Sequence, residues 1–219
     1  MKLETNRHWS IVGFTGSGKT TFDIALLRTI VIGSNGQLPI YVLDSKVQGD
    51  FDVFRPIAKF HYGNLLPPQR WWTPEKPMLV WQPESDDLGL YGQWFNQIYL
   101  LRSPCIILID EISSITTQTG KPPRGFDILL KQGRGLGIGV IANTQSPSFI
   151  PSMLLRQSTY FVRFNLNDEY DIDKLAKIMG RAVLQSPPDE HGFWFRDARK
   201  PVAYSPPVYF KDYRDFFVE

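Results

Sequence analysis

Gly13-Phe14-Thr15-Gly16-Ser17-Gly18-Lys19-Thr20 sets glycines, a lysine and a hydroxyl in the order G-x-x-x-x-G-K-[ST]. No other stretch constrains the chain as much. Glycines let consecutive backbone N–H groups turn toward phosphate oxygens, and a helix starting at the end of the loop adds partial positive charge. The flanks supply both neighbours. Trp9-Ser10-Ile11-Val12 is a short apolar strand candidate, and Thr21 to Ile32 reads as a helix with Phe22, Ala25, Leu26, Leu27, Ile30 and Val31 available to pack. The candidate nucleotide ligands are therefore Gly13, Thr15, Gly16, Ser17, Gly18, Lys19, Thr20 and Thr21. Lys19 is placed to reach the β- and γ-phosphates of ATP, and Thr20 to offer its hydroxyl to Mg²⁺.

Downstream, short apolar runs alternate with amphipathic ones. Pro39 to Leu43, Met78 to Trp81, Ile106 to Ile109, Gly139 to Ala142 and Tyr160 to Phe164 read as strands. Leu88 to Arg102 reads as a helix burying Leu90, Trp94, Ile98 and Leu101. Gly125 to Gln132 and Ser148 to Leu155 read as shorter helices, and Asp168 to Met179 as a clear late one, stopped by Gly180. Residues 45–77 read as a connection rich in Gly and Pro. Ile106-Ile107-Leu108-Ile109 is apolar on both faces, which suits a central strand of a covered parallel sheet. The expected fold is α/β: a RecA-like P-loop NTPase with a mostly parallel sheet covered by helices, its ligand at the carboxyl ends of the strands. A carboxyl-terminal hairpin is expected from residues 192–196 and 201–204, turning through 197–200 and followed by an aromatic tail. A chain of 219 residues suits a single domain over 1–219, with its core at about 8–180 and the hairpin and tail at about 190–219; two small domains are the other possibility.

Charge adds one lead. The formal net charge is only +2, so no overall basic character announces nucleic acid. Between Ile112 and Asn167, however, Lys121, Arg124, Lys131, Arg134, Arg156 and Arg163 face Asp127 alone. Such a region suits a polyanion or a neighbouring subunit's nucleotide; it also suits a solvated surface balanced elsewhere. Cys105 is the only cysteine and precedes an apolar run, so a buried structural role is expected, and intrachain disulfides and Cys-rich zinc sites are excluded. No signal-peptide core stands at the start and no run of about 18 apolar residues occurs, so no transmembrane segment is expected. A cytosolic setting is expected from this.

Asp110-Glu111 closes the Ile106–Ile109 run. Beside a phosphate loop, Asp110 is placed near the Mg²⁺ shell, and Glu111 to polarise the water that attacks the γ-phosphate. Gln145 ends another apolar strand; it reads either as a contact to γ-phosphate and water or as a strand-end hydrogen bond. Arg134 sits in Gly133-Arg134-Gly135-Leu136-Gly137, a compact loop from which an arginine projects. It reads either as a finger reaching a neighbour's γ-phosphate or as a partner in a salt bridge within the subunit. Glu111, Gln145, Arg134 and Lys19 are the candidate catalytic residues, and Thr20 and Asp110 the candidate metal ligands.

Taken together these segments resemble the FtsK–HerA class of P-loop ATPases, in the division with an additional strand and a catalytic Glu. Besides the phosphate loop, Ile109-Asp110-Glu111 and the Arg134 loop, the resemblance rests on three further segments. Leu43-Asp44-Ser45-Lys46 is similar to the family's Asp-Pro-Lys, with Ser45 in place of the proline. Ala142-Asn143-Thr144-Gln145-Ser146-Pro147 is similar to its sensor strand, and Ile150-Pro151 and Phe164 to Asp171 to the segments after it. The resemblance implies an ATP hydrolase coupled to movement of double-stranded DNA, working as a homo-oligomeric ring, with a hexamer favoured. The near-bare motor domain is most similar to the genome-packaging ATPases of internal-membrane icosahedral viruses. That implies action in the host-cell cytoplasm or at the packaging vertex of the virion, with capsid-vertex or membrane-associated portal proteins as partners. Lys121 and Arg124 are the candidate DNA contacts, because Gly120, Pro122 and Pro123 favour an exposed loop there. A plasmid or chromosomal DNA-transfer motor and a nucleotide-dependent assembly switch are the alternatives. Trp71-Trp72 and the aromatic tail have no role in this reading.

Overall fold

The computed structural model describes residues 4–46, 49–117, 120–185, 187, 189, 191–200 and 208. Its centre is an eight-stranded sheet in the order β3-β4-β2-β5-β6-β1-β7-β8. The strands are β1 (His8–Val12), β2 (Ile40–Leu43), β3 (Ala58–Tyr62), β4 (Met78–Gln82), β5 (Cys105–Ile109), β6 (Ile138–Thr144), β7 (Ser158–Arg163) and β8 (Trp194–Asp197). All neighbours pair in parallel except β7 and β8. The helices are α1 (Lys19–Gly33), α2 (Leu88–Leu100), α3 (Arg124–Gln132), α4 (Ser152–Gln157) and α5 (Glu169–Met179), with 3₁₀ turns between several elements.

Both faces of the sheet are covered, as continuous apolar strands require. On one face, Phe22, Leu26, Leu27 and Ile30 of α1 pack with Ile11, Val42, Val80, Leu108 and Ile141. On the other, Trp94, Phe95 and Ile98 of α2 and Phe126, Leu129 and Leu130 of α3 pack with Tyr41, Leu79, Ile107 and Val140. Trp71 belongs to this second core: it is buried and meets the Tyr41 ring edge-on at 5.2 Å between centroids. Trp72 is half-buried against the same cluster. Cys105 is buried, and burial pushes its thiol up to about 12, as suits an inert core residue.

Two expectations change. The connection after β2 contains a strand, β3, at the edge of the sheet. Its exposed Lys59 and Tyr62 break the apolar pattern, as edge positions commonly do. Helix α2 stops at Leu100, two residues before Arg102 takes the left-handed φ of 49°, so Leu101 faces solvent rather than the core. The strand expected at 192–196 is present as β8, which pairs antiparallel with Tyr160 to Arg163 of β7. The expected second arm, 201–204, lies outside the described residues, as does the aromatic tail apart from Val208, which bridges to Phe193.

Candidate active site

Because β1, β2, β5 and β6 run parallel, their carboxyl ends share one edge of the sheet. The segments that leave these ends are therefore brought together: the phosphate loop after β1, Asp44 to Lys46 after β2, Asp110-Glu111 after β5 and Gln145 after β6. The strand β6 lies between β1 and β5, and this insertion puts Gln145 between the phosphate loop and the carboxylates.

The loop has the form a phosphate needs. A side chain at Gly13 would put its Cβ 2.5 Å from Ser17 Oγ and 2.6 Å from Phe164 Cβ, so only glycine allows this close turn. Gly18 precedes α1 with φ 103°, a left-handed conformation natural to glycine. No side chain caps α1 and no acid lies in its first turn, so its leading N–H groups are left for a ligand. Gly13 N donates to Thr144 O at 3.2 Å and Phe14 N to Asn165 O at 2.9 Å, which anchors the loop on both sides. Lys19 Nζ donates to Gly13 O at 2.6 Å and Phe14 O at 3.0 Å, holding the ammonium across the mouth of the loop. Burial, and next the charge of Lys46, lower its pKa; Glu111, Asp23 and Asp110 oppose this.

An open cleft of about 440 Å³ runs over the loop, lined by Thr15, Gly16, Gly18, Lys19, Thr20, Thr21, Lys46, Asp50, Gln145 and His191. Gly13 and Ser17 do not line this cleft; both are buried, Ser17 fully. Asp110 is 2% exposed, and its pKa is raised chiefly by burial, with Lys46 opposing. Lys46 Nζ stands 3.3 Å from Asp110 Oδ2 and 3.7 Å from Glu111 Oε2, so both carboxylates adjoin a residue that lines the cleft. Among the described residues no group of three or more His, Cys, Asp or Glu side chains is arranged to hold a metal ion. A Mg²⁺ held through one carboxylate, one hydroxyl and phosphate oxygens needs no such cage. The uncapped helix, the close-turned loop and the buried carboxylate thus fit a nucleotide phosphate with its cation.

Two other groups of expected residues lie elsewhere. Arg134 precedes β6, so it is at the opposite edge of the sheet from its own phosphate loop. It is exposed, and among the described residues it forms no ion pair. Lys121 lies in the connection between Glu111 and α3, whereas Arg124 is the first residue of α3 and not part of a loop as expected; both are exposed, and Arg124 lines a separate groove of about 610 Å³ beside α2.

The site also contains residues that motifs alone do not single out as ligands. Lys46 stands in the sequence only as part of a longer segment, although a lysine three residues after a parallel strand is a usable signal. Asp50 and His191 come from distant connections, and nothing in their local sequence marks them.

Fold and site together have the form of a P-loop fold with an extra strand, β6, inserted between β1 and β5. No protein-family model matches the chain. A curated relative, Protein P9 of Pseudoalteromonas phage PM2, is 23% identical over 203 residues, covering 90% of this chain and 88% of that protein. The DNA-packaging ATPase B204 of Sulfolobus turreted icosahedral virus superposes with a TM-score of 0.72 at 14% identity, over 94% of this chain and 98% of B204. The genome-packaging NTPase B204 of Sulfolobus turreted icosahedral virus 2, in complex with AMPPCP, gives 0.73 at 13% identity, over 94% and 98%. This chain has the fold of those packaging NTPases over nearly its whole length.

Proposed function

We propose that this chain is an ATP-driven double-stranded DNA translocase that packages a viral genome into a preformed capsid. The observation that carries the reading is one cleft lined by Lys19, Thr20, Lys46 and Gln145, with Asp110 and Glu111 paired to Lys46, in a fold shared with the B204 proteins. Lys19 and the loop N–H groups hold the phosphates of ATP. Thr20 and Asp110 are the groups to hold Mg²⁺, which supplies neutralisation of the charge on the transferred phosphoryl group. Glu111 orients the attacking water and takes its proton. Its Oε2 accepts no hydrogen bond among the described residues, so an acceptor is left for that proton. Gln145 contacts both water and γ-phosphate and reports hydrolysis to β6.

Arg134, on the far edge of the sheet, serves a neighbour's γ-phosphate in a head-to-tail ring, with a hexamer favoured. Lys121 and Arg124 contact DNA phosphates, which carry affinity without reading sequence. Capsid-vertex or membrane-associated portal proteins hold the ring at the packaging vertex, in the host cytoplasm. No helix among the described residues is long and apolar enough to cross a membrane.

The test is ATP turnover in Mg²⁺ with and without duplex DNA. Sustained turnover stimulated by DNA is expected. Nucleotide binding with no sustained turnover under either condition would sink the motor and leave an assembly switch.

A further inference from the structure

Asp23 and Asn143 are a polar pair in a place built for apolar residues. Asp23 lies on α1 one turn after Lys19, on the face that buries Phe22, Leu26 and Leu27. Asn143 lies on β6, opposite Ile11 of β1 and two residues before Gln145. Both are fully buried. Asn143 Nδ2 donates a short hydrogen bond to Asp23 Oδ2. Asp23 Oδ1 and Asn143 Oδ1 have no hydrogen-bond partner among the described residues.

A leucine at either position would pack this interface without the cost of desolvating a carboxyl and an amide. Burial raises the Asp23 pKa well above the usual carboxylate range; the Asn143 hydrogen bond and the charges of Lys19 and Lys46 oppose this, and Asp110 adds to it. A neutral Asp23 adds a second donor to the pair, and Asn143 Oδ1 is the acceptor still unfilled. The pair is thus a polar clamp between the helix that carries Lys19 and the strand that ends in Gln145. A second tie lies close by, since Gly13 N donates to Thr144 O at 3.2 Å.

We propose that the Asp23–Asn143 pair is a positioning link that holds Gln145 in register with Lys19, so that the sensor end of β6 follows the phosphate-bound state of α1. The inference rests on the reading of this cleft as an ATP-hydrolysing site. Neither residue touches nucleotide. Both act through the elements they join.

The experiment compares Asp23→Ala, Asn143→Ala, the double alanine variant, Asp23→Asn and the exchanged pair Asp23→Asn with Asn143→Asp. For each, turnover and the affinity for a fluorescent ATP analogue in Mg²⁺ are measured. The alanine variants are expected to lose roughly tenfold or more in kcat while analogue affinity stays within about threefold, the split expected when reaction geometry rather than ground-state binding is lost. The double variant is expected to be no slower than the worse single one, because groups that act as one unit are non-additive. The exchanged pair rebuilds the same hydrogen bond in reverse and is expected to recover to within about threefold of wild type. If an alanine variant does not fold, the near-isosteric Asp23→Asn and exchanged-pair variants carry the test. Unchanged kcat in the single alanine variants overturns the link. So do multiplicative losses in the double variant, a parallel fall in affinity and kcat, or no recovery in the exchanged pair. Absence of turnover in the wild-type protein, despite nucleotide binding, overturns the hydrolytic reading and the link with it; wild-type turnover with unaffected pair variants overturns the link alone.

Discussion

Lys46 Nζ lies 3.3 Å from Asp110 Oδ2 and so occupies the neighbourhood of the carboxylate assigned to Mg²⁺. Glu111 Oε2, at 3.7 Å, shares the same ammonium. One cation therefore neutralises two adjacent acids that repel each other, and it competes with a divalent ion for Asp110. Replacing Lys46 with Met leaves both carboxylates without that partner and strengthens their pull on Mg²⁺. The Mg²⁺ concentration for half-maximal nucleotide binding is expected to fall by roughly five- to tenfold, the low end of couplings between sites. An unchanged or higher Mg²⁺ requirement, measured by titration at fixed nucleotide, would show that Lys46 does not compete with the metal.

Lys19 and Glu111 should separate binding from chemistry. The Lys19 ammonium is held across the loop mouth by Gly13 O and Phe14 O, so Lys19→Ala removes charge where phosphates are to sit. Glu111→Gln preserves shape but removes the proton acceptor. Lys19→Ala is expected to weaken ATP binding sharply. Glu111→Gln is expected to bind MgATP normally and turn over about 10²–10⁴-fold more slowly, the usual worth of a general base. Normal hydrolysis by Glu111→Gln would remove the residue from the mechanism.

The parts of this protein that can be read from sequence are those where local pattern and tertiary role agree. Ile106 to Ile109 is apolar because both faces of its strand are covered, and its burial is complete. Gly13 and Gly18 are legible because the chemistry of the loop leaves few other choices. The edge strand β3 is not legible, since only Ala58 is buried there and the pattern is that of a loop. Asp23 escapes for a different reason. On a helix it looks like any polar residue, and only the strand opposite, with Asn143, reveals that it points inward. Its signal is position: one turn from Lys19, beside Phe22, on the apolar face. Trp71 has no motif to speak for it, and only the core around Tyr41 explains it.

A buried histidine gives the fold a pH limit. His8 is 1% exposed at the start of β1, and Val140 N donates to its Nδ1 at 3.1 Å, which requires a neutral ring. Burial holds its pKa down to about 4, against 6.5 ordinarily, with the Leu130 backbone opposing. The unfolded chain binds this proton first. Stability from neutral His8 is therefore complete above pH 6.5, declines as pH falls from 6.5 toward 4, and is flat below. The loss is at most about 3 kcal/mol by proton linkage. His8→Asn keeps an acceptor for Val140 N–H but does not titrate. Urea midpoints at about pH 7 and pH 5, on either side of the ordinary histidine pKa, should show a larger drop for wild type than for His8→Asn. Equal drops would clear His8 of the acid sensitivity.

Lys121, in the connection from Glu111 to α3, and Arg124, at the first position of α3, are both exposed. If each contacts one phosphate, the double alanine variant should lower the slope of log affinity against log salt by about 1.8, at roughly 0.9 per contact on duplex DNA. DNA stimulation of turnover should fall more than basal turnover. Coincident salt titrations for variant and wild type would place the DNA elsewhere.

Arg134 offers the sharpest test of assembly. Its loop precedes β6, whereas the phosphate loop comes after β1, and the two strands run parallel. The side chain therefore stands at the wrong edge to serve its own nucleotide. In the head-to-tail ring proposed above, that edge would face a neighbour's cleft, where a guanidinium would stabilise charge developing on the γ-phosphate, an effect worth about 10³–10⁵ in kcat for such fingers. Arg134→Ala rings should bind ATP yet hardly hydrolyse it. Glu111→Gln rings should be equally inactive, for want of a base. In a mixture, some interfaces combine an intact Glu111 with a neighbour's intact Arg134, so partial activity should return. Complementation requires the two residues to act on one nucleotide from different subunits. If mixed rings form, verified by mass, and no activity returns, the role in trans is excluded. If uniform Arg134→Ala rings hydrolyse at the normal rate, the finger is another residue, and Arg124 and Arg156 are the next to be replaced.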